Sequence, residues 1–168
     1  KLLTYPRTDS NYLTEDTAAT VPGLVEVAVQ SLPFSVEVGP PDVARVVDGS
    51  KVSDHHALLP TMQVRSDTLA ALPAGERNVL TLVIVRLLCA VGEKQVYEDT
   101  AAALECGGVS FSARGRVVTV PGWKAIEQMF LSTLKQKTEK EEPEARALPP
   151  LAEGQTFSGC KAAVREGA

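Results

Sequence analysis

The run from Ala74 to Val91 constrains the fold more than any other stretch of the chain. It opens after Pro73, carries Glu76 where a carboxylate favours the positive end of a helix dipole, and stops before Gly92, so helix is predicted over 74–91. Its apolar residues wrap nearly all round, which predicts a central buried helix rather than one lying on the surface. The most apolar part, Val79 to Val91, is interrupted by Arg86 and is too short to span a bilayer. After Gly92 the pattern changes. Val96–Cys106, Val109–Ala113 and Arg116–Val120 are β-branched runs separated by Gly107-Gly108 and by Gly115, and they predict short strands.

The flanks fit the same division. Thr14 before Glu15-Asp16 predicts a helix start with a threonine N-cap, Pro22-Gly23 predicts an interruption, and Leu24–Leu32 resumes with helical spacing. The proline- and glycine-bearing stretch from Pro33 to Gly49 predicts a loop. Trp123–Leu134 predicts a short helix, Lys135–Pro150 a charged loop, and Gln155–Arg165 a return to strand-like alternation. The expected class is α+β: a mainly helical domain over 1–91, followed over 92–168 by a β-rich segment that looks incomplete.

Composition narrows the function classes without choosing one. Seventeen basic against 21 acidic residues leave a net charge of −4 over 168 residues, so the basic excess typical of a nucleic-acid clamp is missing. Neither half supplies it: seven basic and ten acidic residues lie in 1–90, ten and eleven beyond. Any strong electrostatic grip on DNA is expected elsewhere in a longer parent. The first residue is Lys1 and the methionines are Met62 and Met129, which also leads us to expect a piece of a longer chain. Cys89, Cys106 and Cys160 are odd in number and widely spaced; they predict buried reduced thiols of an intracellular protein rather than a disulfide frame or a zinc pair.

Two segments carry chemistry-bearing residues, and a third frames them. In Leu3-Thr4-Tyr5-Pro6-Arg7-Thr8-Asp9-Ser10, proline disfavours helix for the residue before it, so Tyr5 is predicted extended with Arg7 on the same side. Phosphoryl transfer to a phenol needs such a pair. Free tyrosine ionises only near pH ~10, and a guanidinium both favours a phenolate and offers paired donors to phosphate oxygens. On the residues alone a turn with a half-buried Tyr5 and a surface Arg7 is the favoured reading. The second segment, Ser53-Asp54-His55-His56-Ala57-Leu58-Leu59-Pro60-Thr61, holds the only two histidines. Adjacent histidines cannot point the same way from an extended chain, so they make a poor metal pair. One of them near phosphate is plausible chemistry, and a polar loop histidine remains the alternative. The third, Gly115 to Trp123, reads as a strand ending in a Pro-Gly turn anchored by Trp123.

In this order the three segments resemble those of a type IA DNA topoisomerase, with Pro6 and the doubled histidine closest to the bacterial topoisomerase III branch. The resemblance implies that Tyr5 is the nucleophile that becomes joined to the 5′ end of a cut strand and that Arg7 contacts the scissile phosphate. It implies a DNA-contacting histidine at His55, with His56 its neighbour, and assigns Thr8, Asp9 and Ser10 to shaping the site and touching DNA. Asn11 stands where related enzymes often carry a basic residue. The resemblance further implies a winged-helix-like tyrosine domain up to about Val91 and part of a β-rich gate or arch beyond it. Single-stranded DNA is the implied partner, in a cytoplasmic, nucleoid-associated setting with no membrane. Mg²⁺ is the implied cofactor of the parent, with its ligands on an N-terminal Toprim domain. No metal ligand is expected in this chain, which has no Asp-x-Asp pair. The isolated segment is expected to lack relaxation activity. A relaxase would need a His-hydrophobic-His pair and a tyrosine recombinase several separated Arg and His residues. A non-catalytic helical DNA-binding or interaction module is the alternative from another class.

Overall fold

The computed structural model describes residues 1–134 and 147–159. Among them are five α-helices and a two-stranded antiparallel sheet, so the chain is mixed α+β as expected. Residues group into two compact units. The first contains residues 1–96 and 118–134, hence all five helices, and the second contains the outer part of the hairpin, Tyr97–Val117, together with 147–159.

The short helix α1 (Glu15–Ala18) begins as predicted: the Thr14 hydroxyl accepts from the Thr17 N–H at 3.4 Å. Helix α2 (Val21–Ser31) corrects the expectation at Pro22-Gly23. Pro22 sits in the first turn, where its missing N–H costs nothing and its fixed φ suits a helix, so the dipeptide starts the helix instead of interrupting it. Helix α3 (Ser66–Ala71) was not signalled by the sequence pattern, being a single short turn-and-a-half. Helix α4 spans Ala74–Val91, the predicted bounds. From Leu80 onward it carries the core: Leu80, Ile84, Val85, Leu88 and Val91 are buried. Its opening turns are wetter than predicted, with Val79 and Leu82 exposed.

Part of the loop between Pro33 and Gly49 serves that helix. It folds a 3₁₀ turn at Val43–Val46, and from it the Asp42 N–H donates to Val91 O at 2.7 Å while Arg45 Nη1 donates to Ala90 O at 3.3 Å. Two carbonyls that α4 leaves unpaired at its end are thereby satisfied. Helix α5 (Trp123–Thr133) packs on α4 through Ile126 and Phe130, and Phe130 meets Phe34 with ring centroids 6.4 Å apart. Its entry depends on Gly122, which has φ +52° and would place a Cβ 2.6 Å from Glu93 O and from Lys94 O. Any other residue meets both a left-handed backbone and a carbonyl wall.

The hairpin joins β1 (Val96–Cys106) to β2 (Val109–Val120) through Gly107 and Gly108, both at positive φ, as a two-residue turn of this hand requires. Two strands were expected on either side of Gly115; β2 instead runs through it without a break. The register sets Asp99 opposite Arg116, whose Nε and Nη2 donate to the carboxylate at 2.6 and 3.0 Å. This pair holds the Asp99 carboxyl below its ordinary range, and the same guanidinium lies 3.8 Å over the Tyr97 ring. The strand expected over Gln155–Arg165 does not form at 155–159, and the remainder lies outside the described residues, as does most of the loop expected over Lys135–Pro150. Cys89 is buried as expected, but Cys106, at the hairpin tip, is exposed; Cys160 lies outside the described residues.

Candidate functional site

Two segments about fifty residues apart are stitched together to make the site. Leu3 bridges Pro60 in antiparallel fashion, Thr4 N–H donates to Leu59 O at 2.9 Å, and Thr61 N–H donates to Leu2 O at 3.0 Å. The Thr4 hydroxyl adds a further tie by accepting from Leu59 N–H at 2.9 Å. Farther along, Ala57 N–H donates to Tyr12 O at 2.9 Å, and the buried Leu13 pairs with Val47. Residues 5–11 and 48–56 are thus held between two fixed ends.

Between those ends the Tyr5 and His55 rings meet, with centroids 4.6 Å apart and planes tilted by 49°. Tyr5 is 53% exposed, so the ring is cradled on one side and open to solvent on the other. Arg7 and Asp9 are exposed as well. Among the described residues nothing hydrogen-bonds to or pairs with the Arg7 guanidinium, which leaves its donors available to an incoming anion. No hydrogen bond joins Tyr5 to Arg7, so their expected common side is not secured by direct contact.

Thr8 and Ser10 are turned inward. The Thr8 hydroxyl donates to His55 O at 2.8 Å and accepts from Ser10 N–H at 3.1 Å. The buried Ser10 hydroxyl donates to Lys51 O at 2.8 Å and accepts from Tyr12 N–H at 3.0 Å. These two side chains complete backbone groups that the loop leaves without ladder partners. Lys51 in turn lies 4.3 Å over the Tyr12 ring and 3.0 Å from Asp48. Asp48 is held below the usual carboxylate range, first by the Ser50 hydroxyl at 2.6 Å and then by Lys51, while Lys51 is raised chiefly by Asp48. Thr4, Tyr12 and Lys51 were missed from sequence. The available signal was the density of hydroxyl residues in an extended segment, since such residues pair with backbone groups wherever ladders stop.

The doubled histidine is divided as extended geometry requires. His55 lies against Tyr5, whereas His56 is half-buried, with Nδ1 2.7 Å from Ala57 O, and lines a separate open groove of about 390 Å³. Thr4 and Asp16 are among its polar lining residues, and Leu24, Leu59, Pro60 and Met62 its apolar ones. As to Mg²⁺, no three His, Cys, Asp or Glu side chains converge among the described residues into a cage for a metal ion. The donor set among the described residues therefore does not fit a resident Mg²⁺.

The site thus holds an exposed phenol packed against an imidazole, with an unpaired guanidinium two residues on; the phenol–imidazole contact was not foreseen from the sequence. The family model described as DNA topoisomerase matches residues 1–168. The chain belongs to this family of DNA topoisomerases. It is 35% identical over 164 residues to DNA topoisomerase 3 of Bacillus licheniformis, 34% identical to that of Bacillus subtilis, and 30% identical over 163 residues to that of Bacillus cereus. Each alignment covers 94% of this chain and 22% of the relative's own length. The resemblance to the topoisomerase III branch is borne out over nearly the whole segment, and the segment spans about a fifth of those topoisomerases. No helix among the described residues is long and apolar enough to cross a membrane.

Proposed function

We propose that the parent protein changes DNA topology by cutting and resealing one DNA strand through Tyr5, as a type IA isomerase. In the cleavage step the Tyr5 Oη attacks a backbone phosphorus, an Oη–P bond forms, and the P–O3′ bond breaks. The phenol gives up its proton to solvent as it attacks, the freed 3′ oxygen takes one up from solvent, and the 5′ phosphate stays on the tyrosine; resealing is the reverse attack by the 3′ hydroxyl. Arg7 holds the non-bridging oxygens, where a planar fork of donors stabilises the charge that accumulates during transfer. His55 positions the phenol ring and adds a donor toward the strand when protonated. Asp9 and His56 flank the bound DNA, while Thr8 and Ser10 act by shaping the loop.

The observation that carries this reading is the packing of His55 on a solvent-facing Tyr5 beside an unpaired Arg7. Around it we propose a winged-helix-like, tyrosine-bearing domain built on residues 1–91 and a partial β-rich arch over 92–168. Mg²⁺ is assigned to ligands on a Toprim domain of the same parent chain, single-stranded DNA to the role of substrate, and the nucleoid to the place of action. The 1–168 segment alone should not relax plasmid. In the intact parent, Tyr5→Phe should abolish covalent DNA capture while leaving non-covalent binding nearly unchanged. A covalent adduct that persists in that variant would overturn the assignment.

A further inference from the structure

Lys51 is tied to the segment that carries Tyr5 through both its backbone and its side chain. Its carbonyl accepts from the Ser10 hydroxyl at 2.8 Å, and its ammonium lies 4.3 Å over the Tyr12 ring. The ammonium also stands 3.0 Å from Asp48 Oδ2, while Asp48 Oδ1 accepts from the Ser50 hydroxyl at 2.6 Å. Asp48 is itself fixed, since its N–H donates to Leu13 O at 3.1 Å. An exposed ion pair alone holds little, because solvent screens it and two long side chains must be ordered. Here one residue combines the ion pair with a ring contact and a held carbonyl, and the last two reach across to the neighbouring segment.

This anchorage stands directly upstream of His55; downstream, Ala57 N–H donates to Tyr12 O at 2.9 Å. Between the two, among the described residues, the one hydrogen bond that joins 52–56 to a distant part of the chain is that of the Thr8 hydroxyl with His55 O. Where the His55 ring sits, and with it the surface on which Tyr5 rests at 4.6 Å between centroids, is therefore set by where the chain enters at Lys51 and leaves at Ala57. The charge of Lys51 is spent inside the protein. Its ammonium has a carboxylate and a ring face as neighbours, so a DNA phosphate would have to displace Asp48 to reach it. Asp48 is held below the usual carboxylate range and Lys51 above its ordinary one, so both stay ionised through neutral pH.

We propose that Lys51 is a positioning residue for strand cleavage, holding His55 against Tyr5 through the 48–56 loop, and that it does not contact DNA. The inference rests on the strand-cleavage reading above and extends it to a lysine that residue type alone would assign to the phosphate backbone. Asp48 and Tyr12 act with Lys51 as one strut. Its loss leaves the DNA-facing groups in place but loosens the surface behind the phenol, and transfer to phosphorus is sensitive to displacements of that kind.

The test uses the intact parent enzyme and a single-stranded oligonucleotide, with two readouts. One is the single-turnover rate of tyrosyl-adduct formation at saturating protein; the other is the dissociation constant of the non-covalent complex, measured in a Tyr5→Phe background at several salt concentrations. Lys51→Met keeps the stem and removes the ammonium. It should slow adduct formation by about tenfold, within the range that small misplacements produce, and leave the dissociation constant and its salt dependence unchanged. Lys51→Arg keeps a cation for both the carboxylate and the ring and should restore most of the rate. Asp48→Asn should slow adduct formation as Lys51→Met does, and the double variant should be no slower than either single one, as expected of groups that act as a unit. Thermal melting checks that each variant is folded. A native rate in folded Lys51→Met overturns the proposal, and so does weaker binding with a salt slope smaller by about one, which would make Lys51 a phosphate ligand. Should Lys51→Met not fold, Asp48→Asn decides: a phosphate ligand freed from its carboxylate would bind DNA more tightly, whereas a broken strut slows cleavage at unchanged affinity. Failure of the native protein to form any tyrosyl adduct overturns the cleavage reading itself, and this inference with it.

Discussion

Ser10→Ala separates a structural from a DNA-contacting role at the site motif. Ser10 is 9% exposed, and its hydroxyl both donates to Lys51 O at 2.8 Å and accepts from Tyr12 N–H at 3.0 Å. Removing it leaves one donor and one acceptor without partners in a part-buried place. Each such loss costs about 1–2 kcal/mol, so together they should cost roughly 2–4 kcal/mol. For a chain of this size that corresponds to a fall in melting temperature on the order of 5–10 °C. Circular dichroism melting of the 1–168 segment reads it directly, with no DNA present. If Ser10→Ala melts within about 1 °C of the native chain, the inward ties are not what holds the loop, and the hydroxyl must be assigned outward to DNA.

Further expectations follow from particular contacts. Thr8→Val removes the bond to His55 O and the partner of Ser10 N–H, and should cost about 1–2 kcal/mol in the same melting assay, with Thr8→Ser recovering most of it. Gly122→Ala should cost at least about 2 kcal/mol, because strain at positive φ and the 2.6 Å approach to the Glu93 and Lys94 carbonyls add together; a melt unchanged from the native chain would refute that account of the turn. Burial pushes the Cys89 thiol up to about 11, so it stays protonated well past neutral pH. Iodoacetamide at pH 8 should therefore modify the exposed Cys106 and spare Cys89, as read by peptide mass spectrometry. The folded state also holds the Cys89 proton where the unfolded chain loses it, so stability from this group is present below pH ~9 and lost as pH rises toward about 11.

Much of the fold was legible where local signals were strong. Pro73 and Gly92 bracket α4, and Gly107-Gly108 marks the hairpin, because proline fixes φ and lacks an N–H while the hairpin glycines take the positive φ that other residues disfavour. Pro22 and Gly115 misled because the same residues are compatible with two outcomes. A proline ends one helix or begins the next, and a glycine fits inside a regular strand as well as between two. The docking of α5 on α4 depends on Ile126 and Phe130 finding a surface more than thirty residues back in the chain, which no local pattern encodes. At the site, Tyr5, Arg7 and the histidine pair stood out by residue type. The inward turn of Thr8 and Ser10 did not, since their partners, His55 and Lys51, lie more than forty residues away. Only the stitched geometry separates His55, on the phenol, from His56, in the groove.

The proposed nucleophile is one of three tyrosines, and the other two are differently occupied: Tyr12 lies under the Lys51 ammonium and Tyr97 under the Arg116 guanidinium. The most direct measurement is to trap the covalent complex of the intact parent on a single-stranded oligonucleotide, digest it, and locate the nucleotide by mass spectrometry. The account predicts a nucleotide joined through its 5′ phosphate to the peptide that contains Tyr5. An adduct on Tyr12 or Tyr97, or one joined through a 3′ phosphate, would contradict it.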